Sequence, residues 1–310
     1  MSPQDLRLRV QRYLALRRAV GFQTRPAERL LLDFVGFIEA RGHSQNVTAH
    51  LAVEWACASA GQARRLSIVR GFLAHLRAAV PDTGVPGPGI LKRAIRPKPH
   101  IYSDKQIQAL LNEARSLGPT DSLRPYTYAT LIGLLASCGL RIGEAVHLRC
   151  ADVLLDAVPP QLHIAQAKFR KSRLVALHPT AAAALRAYAS QRHRMGYDGL
   201  CDSFFVSERP GPLSTGAARR LFAVLGRRAG LRAPTGRGPR LQDLRHTFAV
   251  QRLLHWYREG ADVQTRLPEL SIYLGHVRPE DTYWYLSATP QLLTAAADRF
   301  EAFVDAGAAP

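Results

Sequence analysis

The chain is poor in cysteine, in metal-ligand patterns and in long apolar runs, and each shortage excludes a class of protein. Its 310 residues include four cysteines without a Cys-x-x-Cys pair. This excludes a disulfide scaffold or zinc ribbon and predicts reduced, mostly buried thiols. The apolar run 131–140 is far shorter than the ~20 residues that span a bilayer. We therefore expect no metal, no other cofactor and no membrane partner.

Acidic residues are also scarce. The chain has 24 Asp and Glu against 42 Lys and Arg, a formal net charge of +18 and a pI near 10.6. The imbalance is densest in residues 1–100, which hold 16 basic and 6 acidic residues. Codon bias toward arginine explains part of the basic count but not the imbalance with acids. A chain this basic indicates a polyanionic partner, of which nucleic acid is the simplest.

Five chemically active residues follow one another in recognisable local frames: Arg141, Lys168, Arg245, His276 and Tyr285. Together they suit a metal-free attack on a phosphodiester. Arginine forks donate paired hydrogen bonds to the charge that builds on the non-bridging oxygens. A tyrosine hydroxyl can act as nucleophile, and a lysine can protonate the leaving oxygen.

This series resembles the tyrosine recombinase (phage integrase) family over most of the chain, in the compact form of Xer-type and transposon-borne enzymes. The resemblance implies that Arg141 and Arg245 clamp the scissile phosphate and that His276 hydrogen-bonds it. It also implies that Lys168 protonates the leaving 5′ oxygen and that Tyr285 forms a 3′-phosphotyrosyl link to DNA.

Two further positions are carried over from the family pattern. Glu144 matches a commonly acidic position that supports the site. Gln242 stands where the family usually has histidine, and glutamine cannot take a proton near neutral pH. Loss of a proton acceptor typically costs on the order of 10²–10⁴-fold in rate. This predicts a slower enzyme, or one that relies on solvent or on Asp243. His246 is a weaker substitute, because it follows Arg245 directly and so points about 100° away on a helix.

Two of these assignments have rivals in the chain. Lys171 lies three residues after Lys168 and is an alternative general acid. Tyr273 and Tyr283 compete with Tyr285 as nucleophile. The frame Thr-x-x-Tyr and the nine-residue step from the Leu-Gly-His motif favour Tyr285. For all three tyrosines the alternative is aromatic packing.

The fold class that we expect is mainly α with a small β-hairpin, divided into two domains and a linker. Residues 1–80 are similar to the core-binding domain of the family, a helical DNA-binding domain. Apolar stripes and capping residues predict four helices in it, which run from Pro3 to about Gly21 and over about 26–41, 48–59 and 62–80. The Pro- and Gly-rich segment 81–100 predicts an extended basic linker, either along DNA phosphates or merely solvated.

Residues 101–310 are expected to form a mixed α+β catalytic domain that opens with a capping box at Ser103. Apolar runs around 162–165 and 173–177 predict a hairpin that carries Lys168 at its turn. Helices are expected at about 104–116, 124–138, 142–149, 179–194, 214–229, 242–258 and 267–275. A last helix at about 290–304 either docks on a neighbouring protomer or packs on its own domain.

The function that the resemblance implies is site-specific recombination of double-stranded DNA, for integration, excision or transposition, in the cytoplasm. The enzyme would act as a homo-oligomer, a tetramer on DNA, or as a hetero-complex with related recombinases. Gln242 motivates an alternative, a weakly active DNA-binding partner of another recombinase. A type IB topoisomerase shares the chemistry, and a helical DNA-binding regulator would not need this series of residues.

Overall fold

The computed structural model describes residues 2–22, 24–42, 47–92, 98–119, 121–165, 172–208, 211–235, 238–276, 278 and 280–286, together with 292, 294, 297 and 298. The chain divides into two compact units, Met1–Pro97 and Lys98–Pro310. No helix in the described part of the chain is long and apolar enough to cross a membrane.

The first unit contains four helices, and their bounds confirm the four predicted from the sequence. They are α1 (Pro3–Ala19), α2 (Arg25–Ala40), α3 (Ala49–Cys57) and α4 (Gln62–Arg77). The side chains of Ser2 and Thr48 cap α1 and α3 by accepting backbone N–H groups. Apolar faces of all four helices form one core, with Phe34 packed edge-on against Trp55.

The segment predicted as a linker contains no helix or strand in its described residues 81–92 and 98–100. Its first part is not extended into solvent. Thr83 is buried, Val85 packs against the core of the first unit, and the N–H of Gly84 bonds the carbonyl of Val47 at 2.8 Å. A side chain at Gly84 would approach the backbone of Ala49 to 2.3 Å, so this contact requires glycine.

The second unit begins with α5 (Asp104–Arg115), which the predicted capping box of Ser103 and Gln106 opens. Next come α6 (Arg124–Cys138) and the short α7 (Ile142–Val146). The prediction that α7 continues to residue 149 is wrong. The backbone leaves the helix because Arg149 pairs with Ser203 in an antiparallel bridge.

The sheet has three antiparallel strands in the order β1 (Val153–Leu154), β2 (Gln161–Ile164) and β3 (Arg173–Ala176). The β2–β3 hairpin is the predicted one, and Ile164 pairs with Arg173 at its end. The sequence did not indicate β1, because two residues carry no readable alternation.

Five helices complete the described fold: α8 (Pro179–Arg194), α9 (Thr215–Arg228), α10 (Asp243–Arg258), α11 (Val263–Leu274) and α12 (Glu280–Leu286). The prediction for α11 began four residues too late, since Asp262 caps the helix by accepting the N–H groups of Gln264 and Thr265. Helix α12 was not predicted as a separate element. The predicted helix 290–304 lies almost wholly outside the described residues.

The thiols differ in part from expectation. All four cysteines are free, as expected, but only Cys138 is buried, while Cys57 and Cys150 are exposed. The expectation of mostly buried thiols is therefore wrong. An exposed cysteine on a helix end or a short turn has no sequence signature that separates it from a core thiol.

Candidate active site

The structure brings Arg141 and Arg245 together on one backbone carbonyl. Arg245 donates from Nη1 to the carbonyl of Gly139 at 2.8 Å and from Nη2 to that of Leu274 at 2.7 Å. Arg141 donates to the same Leu274 carbonyl at 3.4 Å and to that of Gly275 at 2.9 Å. Residues 104 positions apart in the chain thus converge at the point where α6 and α11 end and α10 begins.

The carboxylate of Glu144 supports this pair. Its oxygens accept the backbone N–H and the Nη1 of Arg141, both at 2.9 Å. They also accept Nη1 and Nη2 of Arg173, at 3.1 and 2.9 Å. Burial by itself raises the pKa of Glu144, but the hydrogen bonds and charges of Arg173 and Arg141 outweigh burial and lower it. Glu144 is therefore ionised and ties the two guanidinium groups together.

The C-terminal end of α11 is held by three arginines. Arg173 donates to the carbonyl of Tyr273, and both Arg141 and Arg245 donate to that of Leu274. Arg141 also donates to the carbonyl of Gly275. Unpaired carbonyls at a helix end carry a partial negative charge that attracts cations. This arrangement fixes the Leu-Gly turn immediately before His276.

Charge in the site favours an anion. Arg245 is 2% exposed, and burial, helped by the nearby charge of Arg141, lowers its pKa to about 10. It therefore stays protonated at neutral pH. The contacts named above involve three guanidinium groups and one carboxylate, so they leave excess positive charge. Buried arginine forks of this kind suit a phosphate group.

His276 lies beside the arginine pair as a neutral ring. Burial and the charges of Arg245 and Arg141 lower its pKa to about 4. Its Nδ1 shares a hydrogen bond of 2.7 Å with the hydroxyl of Thr282. With Nδ1 engaged, Nε2 is the ring atom that remains to meet a phosphate oxygen.

Tyr285 is the tyrosine that the fold places in this site. It is 2% exposed, and its ring stacks against that of His276 with centroids 6.0 Å apart. Tyr283, two residues earlier on α12, is 51% exposed. The hydroxyl of Tyr273 donates to the carbonyl of Ala176. Of the three candidate tyrosines, Tyr285 is the one in contact with the predicted site residues.

Comparison with known proteins identifies the family of the chain. The model of the phage integrase family matches residues 101–291. The chain belongs to this family. It is a recombinase, and site-specific recombination is its class of reaction.

Relatives match along nearly the whole chain. The putative integrase/recombinase y4rB of Sinorhizobium fredii (strain NGR234) is 41% identical over 303 residues, which cover 94% of this chain and 96% of that protein. The tyrosine recombinase XerD of Rhizobium meliloti (strain 1021) is 32% identical, over 80% of this chain and 79% of XerD. The structure of the Tn1549 transposon integrase with transposon right end DNA aligns with a TM-score of 0.65 at 16% identity, covering 96% and 99%. This last similarity shows the fold.

The recombinase has an altered environment where the family usually has a histidine. Gln242 precedes α10, is half-buried and makes no capping hydrogen bond with its side chain. Asp243, which we expected as a substitute proton acceptor, accepts the backbone N–H, Nε and Nη2 of Arg240 instead. An acceptor committed to this ion pair is a poor base for Tyr285.

His246 lies closer to Tyr285 than the helix geometry suggested. It is buried, as expected for a core histidine, but its ring centroid is 5.4 Å from that of Tyr285. The expectation that it points away from the site is wrong. The angle between neighbouring helix positions does not account for α12, which packs against α10 and brings Tyr285 to His246.

Lys168 and its rival Lys171 lie outside the described residues. The strands on either side are described, and they end at Ile164 and resume at Arg173. The assignment of Lys168 as general acid stays a prediction. In the described part of the recombinase, no cluster of His, Cys, Asp and Glu is placed to hold a metal ion.

Two residues of the site were missed from the sequence. Arg173 was read as the start of a strand, although it bonds Glu144 and α11. Thr282 was used only as part of the Thr-x-x-Tyr frame, although it holds His276. The excess of arginine over acidic residues made any single arginine inconspicuous in the sequence.

Proposed function

We propose that this recombinase cleaves one DNA strand at a time with Tyr285 and holds the new 3′ end as a phosphotyrosyl ester. The observation that carries the proposal is the meeting of Arg141 and Arg245 on one carbonyl, with His276 and the buried Tyr285 beside them. A phosphate at this position would meet two guanidinium forks and a ring nitrogen. It would also lie near a phenolic oxygen.

In the proposed step the phenolic oxygen of Tyr285 bonds to phosphorus while the bond from phosphorus to the 5′ oxygen breaks. The phenolic proton passes to solvent water, and Lys168 gives a proton to the departing 5′ oxygen. The arginine pair stabilises charge on the non-bridging oxygens, and His276 donates from Nε2. The ester is conserved, so attack by a 5′ hydroxyl from another strand rejoins DNA without an external energy source.

Exchange between duplexes requires several active sites at once. Two duplexes, each cut on both strands in turn, need four tyrosines, so we propose a tetramer on DNA that passes through a Holliday junction. A complex with a related recombinase would supply the same number of sites. We propose that the reaction takes place in the cytoplasm, where the enzyme has access to duplex DNA.

The basic first unit supports duplex DNA as the partner. The net charge of the chain is +18, and Arg25, Arg29, Arg64 and Lys92 line two adjoining clefts at the start of α4. The first turn of α4 has no acidic residue. We propose that residues 1–80 bind the phosphate backbone while residues 101–310 carry out cleavage, with segment 81–100 between them.

Covalent trapping tests this mechanism. The recombinase would be incubated with nicked fragments of DNA from its own source, so that the cleaved end diffuses away and the adduct persists. Sequencing of the attached DNA gives the site, and mass spectrometry locates the nucleotide. We expect the adduct on Tyr285, its loss in Tyr285→Phe, and its retention in the matched control Tyr283→Phe. An adduct on another residue contradicts the assignment.

The weakly active DNA-binding partner is a second candidate, which Gln242 and the engaged carboxylate of Asp243 favour. On a synthetic site, Gln242→His should then raise cleavage by about 10²-fold, in line with the usual contribution of a general base. An unchanged rate in this variant, with an active wild type, argues for a recombinase that does not need that histidine. Relaxation of any supercoiled plasmid without a specific site would instead indicate topoisomerase activity.

A further inference from the structure

Arg173 is the least expected charged residue near the site. It is the first residue of β3, and its side chain is 11% exposed. Three of its donors are engaged within the second unit: Nε on the carbonyl of Tyr273 at 2.9 Å, and Nη1 and Nη2 on the two oxygens of Glu144 at 3.1 and 2.9 Å. A planar guanidinium matches this three-point arrangement, which a single ammonium group cannot span.

The two groups that Arg173 holds are the same groups that position the phosphate clamp. Glu144 orients Arg141, whose backbone and side chain both donate to it. Tyr273 directly precedes Leu274 and Gly275 at the end of α11. The carbonyls of these two residues accept the hydrogen bonds of Arg141 and Arg245. Arg173 therefore contacts both supports of the clamp.

We propose that Arg173 is a positioning residue, which holds Glu144 and the C-terminal turn of α11 so that Arg141, Arg245 and His276 converge on one phosphate. The inference rests on the proposed phosphodiester chemistry and adds to it a residue that would not touch DNA.

Electrostatics explains why one carboxylate needs two arginines. Each oxygen of Glu144 accepts one donor from Arg141 and one from Arg173. Without Arg173, this buried carboxylate would depend on Arg141 alone. The attraction would draw the Arg141 fork toward Glu144 and neutralise charge that the phosphate needs. With Arg173 in place, Glu144 is balanced and the clamp keeps its excess charge.

Arg173 also joins the clamp to the hairpin. Its backbone pairs with Ile164, and these two residues flank segment 165–172, which contains Lys168. The same residue thus lies at one end of the segment that would supply the proton and contacts the supports of the site that would hold the phosphate. A displacement of about 1 Å in such a support can lower a rate by about 10²-fold.

The test compares single-turnover cleavage of a synthetic nicked site by the full chain and its variants. Arg173→Met removes the guanidinium, and Arg173→Lys keeps the charge without the fork. Arg192→Met is the matched control, because Arg192 is also buried and paired with a carboxylate, that of Asp198, but lies on α8. Circular dichroism would set a temperature at which every variant is folded.

We expect Arg173→Met to lower the cleavage rate by about 10- to 100-fold with DNA affinity unchanged, and Arg173→Lys to recover part of the loss. Arg192→Met should lose stability but cleave at the wild-type rate. A methylphosphonate at the scissile position carries no charge on its non-bridging oxygen. On this substrate the rate penalty of Arg173→Met should shrink at least tenfold, because the non-bridging oxygens carry less negative charge for Arg141 and Arg245 to stabilise. A general loss of structure would give the same penalty on both substrates.

A double variant keeps the inference testable if Arg173→Met does not fold. Arg173→Met combined with Glu144→Gln leaves no uncompensated buried carboxylate. It should cleave more slowly than Glu144→Gln alone, since the support of α11 is lost as well, but faster than the product of the two single penalties predicts, since both residues also act through Arg141. A rate loss in the double variant equal to the product of the two single losses would overturn the inference. A wild-type rate in Arg173→Met would overturn it as well. A wild type that forms no Tyr285 adduct refutes the proposed function itself.

Discussion

Gly275 is the position where a single methyl group would test the arginine arrangement directly. It ends α11 with a φ of +67°, and its carbonyl accepts Arg141. A Cβ at this position would lie 2.6 Å from Nη1 and 2.8 Å from Cζ of Arg173. Gly275→Ala therefore strains the backbone and collides with a guanidinium that three hydrogen bonds hold in place.

The magnitude follows from these two effects. A left-handed conformation costs a residue with a side chain about 1–2 kcal/mol. Restoring an ordinary contact of about 3.5 Å moves the guanidinium by about 1 Å, and losing one charge-assisted hydrogen bond costs about 1.5–3 kcal/mol. We expect a total of about 2.5–5 kcal/mol. At about 2–4 °C per kcal/mol for a unit of this size, the Tm should fall by about 5–20 °C.

Thermal unfolding followed by circular dichroism measures this loss, with Gly260→Ala as the matched control. Gly260 has a φ of +70° but open space around its Cβ position, so it reports backbone strain alone. Gly275→Ala should lose more stability than Gly260→Ala, and the difference should vanish when Arg173→Ala is added to both. Equal losses in the two single variants would refute the described placement of Arg173.

Two other predictions concern His276. Its folded pKa of about 4 lies below the ordinary value of 6.5, so the unfolded chain binds the proton more tightly. His276 therefore stabilises the fold above pH 6.5, and this stabilisation is lost as the pH falls toward 4. In His276→Gln, the free energy of unfolding measured with urea should depend less on pH in this range. An unchanged pH dependence would contradict the lowered pKa of His276. Thr282→Val, which removes the bond to Nδ1, should lower adduct formation about tenfold, as expected for one hydrogen bond. Thr282→Ser should restore the rate, and a wild-type rate in Thr282→Val would show that the bond has no role.

The helices were predictable because their signals are local. A serine at position 2 or 103 caps a helix within three residues, and apolar periodicity marks the buried face of the same segment. The order of Arg141, Arg245, His276 and Tyr285 was also readable, because each lies in a short frame. These features do not depend on what the chain contacts elsewhere.

Glu144 was expected to support the site, but the other supporting residues were not predictable, since their contacts are remote in sequence. Arg173 bonds Glu144 across 29 residues and Tyr273 across 100. His246 was misjudged for the same reason, as its approach to Tyr285 depends on how α12 packs and not on its position along α10. The sequence alone does not indicate which of its 42 basic residues forms such a remote contact.

The kind of partner that each arginine has explains how the site stays ready for an anion. Arg240 is paired with Asp243, whose hydrogen bonds raise the pKa of its guanidinium. Arg245 is held by the carbonyls of Gly139 and Leu274, which orient it without cancelling its charge, and burial lowers its pKa. Carbonyl dipoles hold Arg245, the group that we propose binds the phosphate, while a carboxylate holds Arg240, which secures the start of α10. An arginine buried in this way destabilises the free protein, and a bound phosphate would offset that cost. At Arg245, an arrangement that would bind a phosphate more strongly therefore lowers the stability of the free recombinase.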